Sequence, residues 1–248
     1  MKLSPSAIVS FRTCRRLYAF TYVEGLRGPS SPAQQFGTEV HKQLERWLTC
    51  GTPPDDSPPG RVAEQGLGWL PAPSDELLVE HPFSIPLEED LELMGFIDCV
   101  RPGPVPLLID HKSCADLRWA KTEAQLRVDP QALVYSLWAM LEWGAPEVQA
   151  RWTYFSATTG GPGPRKPRGA KPVEVLLAAE DPAYQGAVEV LLADCYQMAA
   201  LRRAARPALL QPPTPSSCGL YGGCPFLSRC NLTQQDRLGA YFGQKNNI

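Results

Sequence analysis

Three dipeptides, Ser4-Pro5, Ser31-Pro32 and Asp129-Pro130, limit the folds open to this chain, because each marks where a helix must begin. Proline at the first helical position forfeits only an N–H that has no helical partner, and a preceding Ser or Asp oxygen caps the next turn. Ser4-Pro5 opens a short helix with Ile8, Phe11 and Cys14 on one side. Ser31-Pro32 opens a longer one in which Phe36, Val40, Leu44, Trp47 and Leu48 recur at helical spacing until Gly51. Asp129-Pro130 opens a strongly apolar helix through Leu141. Between the second and third starts the period changes. Residues 77–85, 91–101 and 105–112 read as three successive strands in an antiparallel meander, after a Pro-rich loop at 52–60 and a brief helix at 61–69. Strands at 148–156 and 173–178 follow, separated by a Gly/Pro/Lys/Arg loop at 160–172. A helix from Asp181 to about Ala205, a proline-rich linker and a cysteine tail complete the order. That succession predicts a mixed sheet flanked by helices, of α/β or α+β class. There is no internal repeat.

Composition excludes several classes. The 248 residues are 44% hydrophobic, and 24 Lys+Arg against 26 Asp+Glu leave a net charge of −2, which argues against a protein that coats nucleic acid over its whole surface. A local basic groove stays open. The 26 prolines cluster without a period, so the chain is not collagen-like. No apolar run approaches the roughly 20 residues of a membrane span. Met1-Lys2-Leu3-Ser4-Pro5 has no secretory signal character, which predicts a cytoplasmic protein whose eight cysteines serve something other than disulfides.

Acids stand in strands where apolar residues would be expected. Alternation along 105–112 puts Leu108, Asp110 and Lys112 on one face and Leu107, Ile109 and His111 on the other. On the preceding strand Asp98 shares a face with Met94, Phe96 and Val100, and Gly95 permits a bend, so Asp98 can meet Asp110 across a hairpin. Read alone, Asp110 and Lys112 fit a salt-bridged strand end. Read as chemistry, two carboxylates bind Mg2+, and a nearby lysine assists phosphodiester hydrolysis.

The run Gly95-Phe-Ile-Asp98 followed by Leu-Leu-Ile-Asp110-His-Lys112 resembles the PD-(D/E)XK nuclease superfamily, and within it the RecB-like branch. Phe36-Gly-Thr-Glu-Val-His41 is similar to that branch's Gly-x-x-x-His helix, and Gln131-Ala-Leu-Val-Tyr135 to its Gln-x-x-x-Tyr helix. Ile97 precedes Asp98 where the family often has proline. The resemblance implies a restriction-endonuclease-like mixed-sheet core with Asp98, Asp110, Lys112, Gln131 and Tyr135 as catalytic residues. It implies Mg2+ or Mn2+ held by His41, Asp98, Asp110 and the backbone carbonyl of His111, whose side chain faces away. Without it, His41 reads as a hydrogen-bonded core histidine. His81 matches no motif and reads as structural.

Cys218, Cys224 and Cys230 fall within a glycine-rich tail, with Cys14 a fourth candidate far upstream. Four thiolates in cytosol indicate Zn or an iron-sulfur cluster, with buried free thiols a third reading. The one-plus-three distribution resembles the 4Fe-4S clasp of RecB-like nucleases, including CRISPR adaptation and helicase-associated nucleases, although C-x5-C-x5-C replaces their more familiar C-x2-C-x5-C. Cys50, Cys99, Cys114 and Cys195 read as small core residues.

Arg118, Trp119 and Lys121, with Arg127 nearby, and Arg165, Lys166 and Arg168, with Lys171, are candidate DNA contacts by phosphate pairing and base stacking; a solvated surface explains them equally well. The expectation is one domain, 1–248, with a motif core at 36–135 and cluster-binding segments at 1–30 and 206–248. Resemblance implies a DNA exonuclease of recombination, end processing or phage DNA metabolism in a bacterial or phage-infected cell. Its substrate would be single-stranded or have a free end. Because no Gly-x-x-x-x-Gly-Lys-Ser/Thr loop is present, a helicase or recombination partner would unwind duplex. The competing readings are a DNA-binding scaffold that keeps the fold without cutting, and a Zn-stabilised adaptor.

Overall fold

The computed structural model describes residues 1–158, 165–220, 223–233 and 236. In chain order its elements are β1 (Lys2–Leu3), α1 (Pro5–Thr13), α2 (Arg15–Tyr18), a π-helical turn (Ala19–Val23), α3 (Pro32–Cys50) and α4 (Pro58–Glu64). Then come β2 (Leu78–Glu88), β3 (Leu91–Arg101), β4 (Leu107–Cys114), α5 (Glu123–Arg127), α6 (Pro130–Trp143), β5 (Glu147–Ala157), β6 (Pro167–Ala178) and α7 (Pro182–Arg203). The class is mixed α/β, a mixed sheet flanked by helices.

The helix starts are capped as their sequences require. Ser4 accepts from the Ala7 N–H, Ser31 and Gln34 form a reciprocal capping box, and Asp129 accepts from the N–H groups of Gln131 and Ala132. Gly51 and Gly144 end α3 and α6 in the left-handed conformation. The same logic corrects the expected loop at 52–60: Ser57 accepts from the Gly60 N–H and Pro58 begins α4, so helix replaces loop from residue 58. The expected loop at 160–172 is also too long. Pairing of β6 with β5 begins at Ala157↔Pro167 and runs to Glu147↔Ala178, so the ladder overrides the Gly/Pro composition of 167–172. Residues 160–164 of that stretch lie outside the described residues.

The chain divides into two compact units: residues 1–29, 86–93 and 189–248, and residues 30–85 with 94–188. In the first, β1 pairs parallel with Glu92 and Leu93. Ala19, Phe20, Ala208 and Phe226 form an apolar cluster there, with Leu17, Val23, Leu26 and Cys224 against it. In the second, β3 pairs antiparallel with β4, β4 parallel with β5, and β5 antiparallel with β6. A parallel pair needs a long crossover, and the β4-to-β5 connection carries α5 and α6. Val40 and Leu44 of α3 and Val62 and Ala63 of α4 pack with Phe155 of β5, while Leu48 packs with Cys99, Leu107 and Ile109. Strand β4 is buried from Leu107 to His111, as a central strand covered on both faces must be.

Candidate functional site

Alternation along β4 sends Asp110 and Lys112 to the side on which α6 begins. Asp110 is 1% exposed, and its Oδ1 accepts from Gln131 Nε2 at 2.7 Å. Lys112 Nζ donates to Gln131 Oε1 at 2.9 Å and stands 2.5 Å from Asp110 Oδ2. Gln131 Nε2 also donates to the Tyr135 hydroxyl at 2.6 Å, which donates to the Phe96 carbonyl at 2.8 Å. Gln131 and Tyr135 are one turn apart, so a single helix end holds both the acid and the lysine. The ammonium thus pairs directly with Oδ2, so Lys112 and Gln131 between them hold both oxygens of the buried carboxylate.

The electrostatics follow. Burial pushes Asp110 up to about 6, against the pull of Lys112 and with the added repulsion of Asp98. Burial opposes the charge on Lys112, but Asp110 outweighs it and raises the ammonium pKa. Burial, then Asp110, raises the Tyr135 phenol, which remains a neutral donor.

The other face of β4 holds a second set of polar groups. Asp98 Oδ2 accepts from the His111 backbone N–H at 2.6 Å, and the Nδ1 atoms of His41 and His111 each lie 3.6 Å from that oxygen. Ligand atoms of these three residues lie within 4.8 Å of one another. The approach of α3 depends on Gly37: a Cβ there would stand 2.7 Å from Ser113 Oγ of β4, and one turn onward His41 faces His111 with ring centroids 5.6 Å apart. His111 is 2% exposed, and burial, then His41, pushes its pKa down to about 3, so the imidazole is neutral.

The expectation that the His111 side chain faces away from the metal residues is corrected here. It does lie opposite Asp110 and Lys112, but that is the side from which His41 and Asp98 approach. Glu80 of β2 was missed altogether. Burial, then Asp98, raises its pKa, and it holds φ at 47°, a left-handed conformation that a residue other than glycine adopts at a cost. Nothing in its sequence context signals either property. Phe96 shares the face of Asp98 as alternation requires, and it is 57% exposed. His81 packs against Trp138, with ring centroids 5.3 Å apart.

The basic residues divide. Trp119 is 62% exposed, and Arg118, Lys166 and Arg168 are exposed around β4, β5 and β6. Arg118 also pairs with Asp116 at 3.1 Å. Lys121 is ion-paired with buried Asp129, the cap of α6, and Arg127 with Glu123 at 2.7 Å. The Arg165 guanidinium lies 4.7 Å over the Phe36 ring.

The cysteine residues belong to the first unit. Cys14 breaks α1 from α2 in an extended conformation, and its Sγ accepts from the Thr214 N–H at 3.4 Å. Arg16 Nη1 reaches the Cys230 carbonyl at 2.5 Å and its Sγ at 3.6 Å. Burial, then Cys224, Cys230 and Cys14, pushes the Cys218 thiol up to about 11, so the four thiols share one electrostatic neighbourhood. They are not drawn together as tightly as the His41, Asp98 and His111 ligand atoms, the set found within 4.8 Å among the described residues. None of the eight cysteines is in a disulfide. Cys99 and Cys195 are buried as expected, and Cys114 is half-buried; Cys50, at the solvent-facing end of α3, is exposed and not a core residue.

The family model of the PD-(D/E)XK nuclease superfamily matches residues 2–67 and 59–231. This chain belongs to that superfamily. The superfamily is one of nucleases, which supports a nuclease here, and the acid, lysine and glutamine geometry lies inside the matched region. No curated protein matches the chain significantly. A solved structure from Eubacterium rectale named "Putative exonuclease" aligns over 94% of this chain and 88% of its own, with a TM-score of 0.52 and 14% identity. A protein named SSO0001 aligns over 94% and 88%, with a TM-score of 0.48 and 12% identity. At such identity the first likeness concerns the fold. No helix among the described residues of this PD-(D/E)XK protein is long and apolar enough to cross a membrane.

Proposed function

We propose that the chain is a divalent-metal-dependent deoxyribonuclease of the RecB-like branch, acting as an exonuclease on DNA that is single-stranded or has a free end. The observation that carries this reading is the buried Asp110, ion-paired to Lys112 and locked to it through Gln131. A carboxylate this deeply buried, whose ionisation Asp98 opposes, fits a cation between the two acids better than it fits a structural salt bridge alone. His41, Asp98, Asp110 and the backbone carbonyl of His111 would hold Mg2+ or Mn2+, which when bound supplies electrophilic stabilisation of the phosphate and a more acidic water.

The chain's own residues do the rest. Lys112, kept protonated by Asp110, donates to the oxygen on which negative charge grows. Gln131 fixes the carboxylate and the ammonium in one plane of hydrogen bonds, and Tyr135 fixes Gln131. Arg118, Trp119, Arg165, Lys166 and Arg168 would hold the strand, with exposed Trp119 offering a stacking face. Lys121 would contribute by orienting the α6 cap through Asp129 more than by touching phosphate.

The exonuclease part of the proposal has fold-level support from the Eubacterium rectale protein's name. Recombination, end processing or phage DNA metabolism, with a helicase or recombination partner to open duplex, is the matching role. We further propose a single nuclease domain over 1–248, with its motif core at 36–135, in the cytoplasm of a bacterial or phage-infected cell. Segments 1–30 and 206–248 would be clasped by a 4Fe-4S cluster on Cys14, Cys218, Cys224 and Cys230; of these, 221–222, 234–235 and 237–248 lie outside the described residues. The proximity of Cys224, Cys230 and Cys14 to Cys218, and the hydrogen bonds accepted by the Cys14 and Cys230 sulfurs, support the cluster. A single Zn would need thiolates about 3.8 Å apart, given Zn–S bonds of about 2.3 Å.

End-labelled single- and double-stranded DNA incubated with purified protein and Mg2+ or Mn2+ tests the activity. Stepwise shortening from one end, stopped by chelator and restored by excess metal, is expected. Absence of cleavage under every metal condition would refute the reading.

A further inference from the structure

We infer that the His111 imidazole is itself a ligand of the cation site, so that His41, Asp98 and His111 form a two-histidine, one-carboxylate group that favours a transition-metal ion such as Mn2+ over Mg2+. The inference rests on the proposed metal centre and adds a side chain that the PD-(D/E)XK resemblance does not include.

The spacing is that of ligands around one ion. Ligand atoms about 2.1–2.2 Å from one ion stand about 3.1 Å apart in an octahedral and about 3.5 Å apart in a tetrahedral arrangement, because the ion lies between them. Both imidazole Nδ1 atoms lie 3.6 Å from the same oxygen, Asp98 Oδ2. That separation is too long for a hydrogen bond and close to the distance two co-ligands would keep.

The competing explanation is a core histidine satisfied by its neighbours, and the contacts contradict it. A buried imidazole in that role has partners at both nitrogens. His111 is 2% exposed, its Nε2 has no partner, and its Nδ1 faces Asp98 at 3.6 Å without bonding to it. A cation between Nδ1 and Oδ2 would satisfy one of the two nitrogens and the carboxylate together. The backbone also fits: the His111 N–H donates to Asp98 Oδ2 at 2.6 Å, so one residue both orients the carboxylate and supplies a second ligand.

The consequence is metal choice. Mg2+ prefers oxygen ligands and keeps several waters, whereas imidazole suits the later divalent metals. His41 beside the Asp98 carboxylate is a compromise; a second imidazole shifts the preference toward nitrogen-accepting ions.

The test uses the full-length protein stripped with chelator and titrated with Mn2+, following loss of the free-ion EPR signal and counting imidazole nitrogens by electron spin-echo modulation. Two coupled imidazoles are expected in the wild type and one in His111→Phe, with Mn2+ affinity weakened about tenfold and Mg2+ affinity changed much less. The wild-type spectrum requires no variant to fold, and circular dichroism checks the variant. A wild-type spectrum showing one imidazole, or wild-type Mn2+ affinity in a folded His111→Phe, would overturn the inference and leave the metal centre standing. Mn2+ binding indifferent to Asp98→Asn would instead remove the metal centre, and this inference with it.

Discussion

Around Asp110 each polar side chain is held by another, in a chain that runs from Lys112 through Gln131 to Tyr135 and ends on the Phe96 carbonyl. Around Cys218 the surroundings do the reverse, since burial, and then Cys224, Cys230 and Cys14, make its ionisation harder. The first cluster is organised before anything binds, by hydrogen bonds anchored on a capped helix. The second gathers thiols around Cys218 without such a network, in segments rich in Pro, Ser and Gly. Substitutions at the first should therefore cost chemistry and spare the fold, and substitutions at the second should cost the fold.

The largest expected effect is on cleavage. Asp110→Asn and Lys112→Ala should each slow DNA hydrolysis by roughly a thousandfold or more, the scale on which lost electrostatic stabilisation acts, with an unchanged circular dichroism spectrum. Retained cutting by either variant would dissolve the contrast. Next comes the cysteine cluster. Anaerobically purified wild type should be brown with iron and sulfide near four per chain. Cys14→Ala or Cys218→Ala should bleach it, lower the melting temperature by roughly 5–10 °C and speed proteolysis of both end segments, while Cys195→Ala keeps the colour. One Zn per colourless chain would overturn the cluster.

Tyr135→Phe should be milder. It removes a donor to the Phe96 carbonyl and an acceptor for Gln131, so a loss of about 1 kcal/mol in stability and about tenfold in rate is expected. Wild-type kinetics in that variant would show that Gln131 needs no support.

The smallest effect concerns pH in metal-free protein. Asp110 has its folded pKa raised from 3.8 to about 6, so its stabilising contribution is present in full below 3.8 and is lost as pH rises through 6. His111 has its pKa lowered from 6.5 to about 3, so its contribution is present above 6.5 and is lost as pH falls toward 3. Between pH 4 and 6 the two oppose, and the wild-type melting temperature should vary little. Asp110→Asn leaves the His111 contribution alone, so its melting temperature should fall on acidification across that window. A variant as flat as the wild type would show that Asp110 is not strained by burial.

What could be read in the sequence was whatever local rules decide. The proline-led helix starts and the alternation of β4 put Asp110 with Lys112 and Gln131 with Tyr135, because capping and strand period act over a few residues; only the family resemblance joined the two pairs in one site. Ser57-Pro58 obeyed the same rule and was hidden only by the prolines around it. The misses are tertiary. Residues 167–172 became strand because β5 offered a ladder. Glu80 senses Asp98 from a left-handed position on β2, and His111 faces His41 because α3 comes close at Gly37. None of these leaves a periodic trace.

Strand β4 has a further consequence, best stated as parity. Eight consecutive partners on β5, from Leu107↔Gln149 to Cys114↔Ser156, pin its register. Even-numbered positions carry the acid and the lysine; the odd position between them carries the imidazole. Inserting one residue before Asp110 would exchange the two sets and direct Ile109 and His111 at Gln131, whereas inserting two would restore each set to its own layer, displaced along the strand. Length variation in the 102–106 connection leaves that order intact. The chemistry of this strand is thus written as an odd–even code, robust to changes outside the ladder and erased by a single step within it.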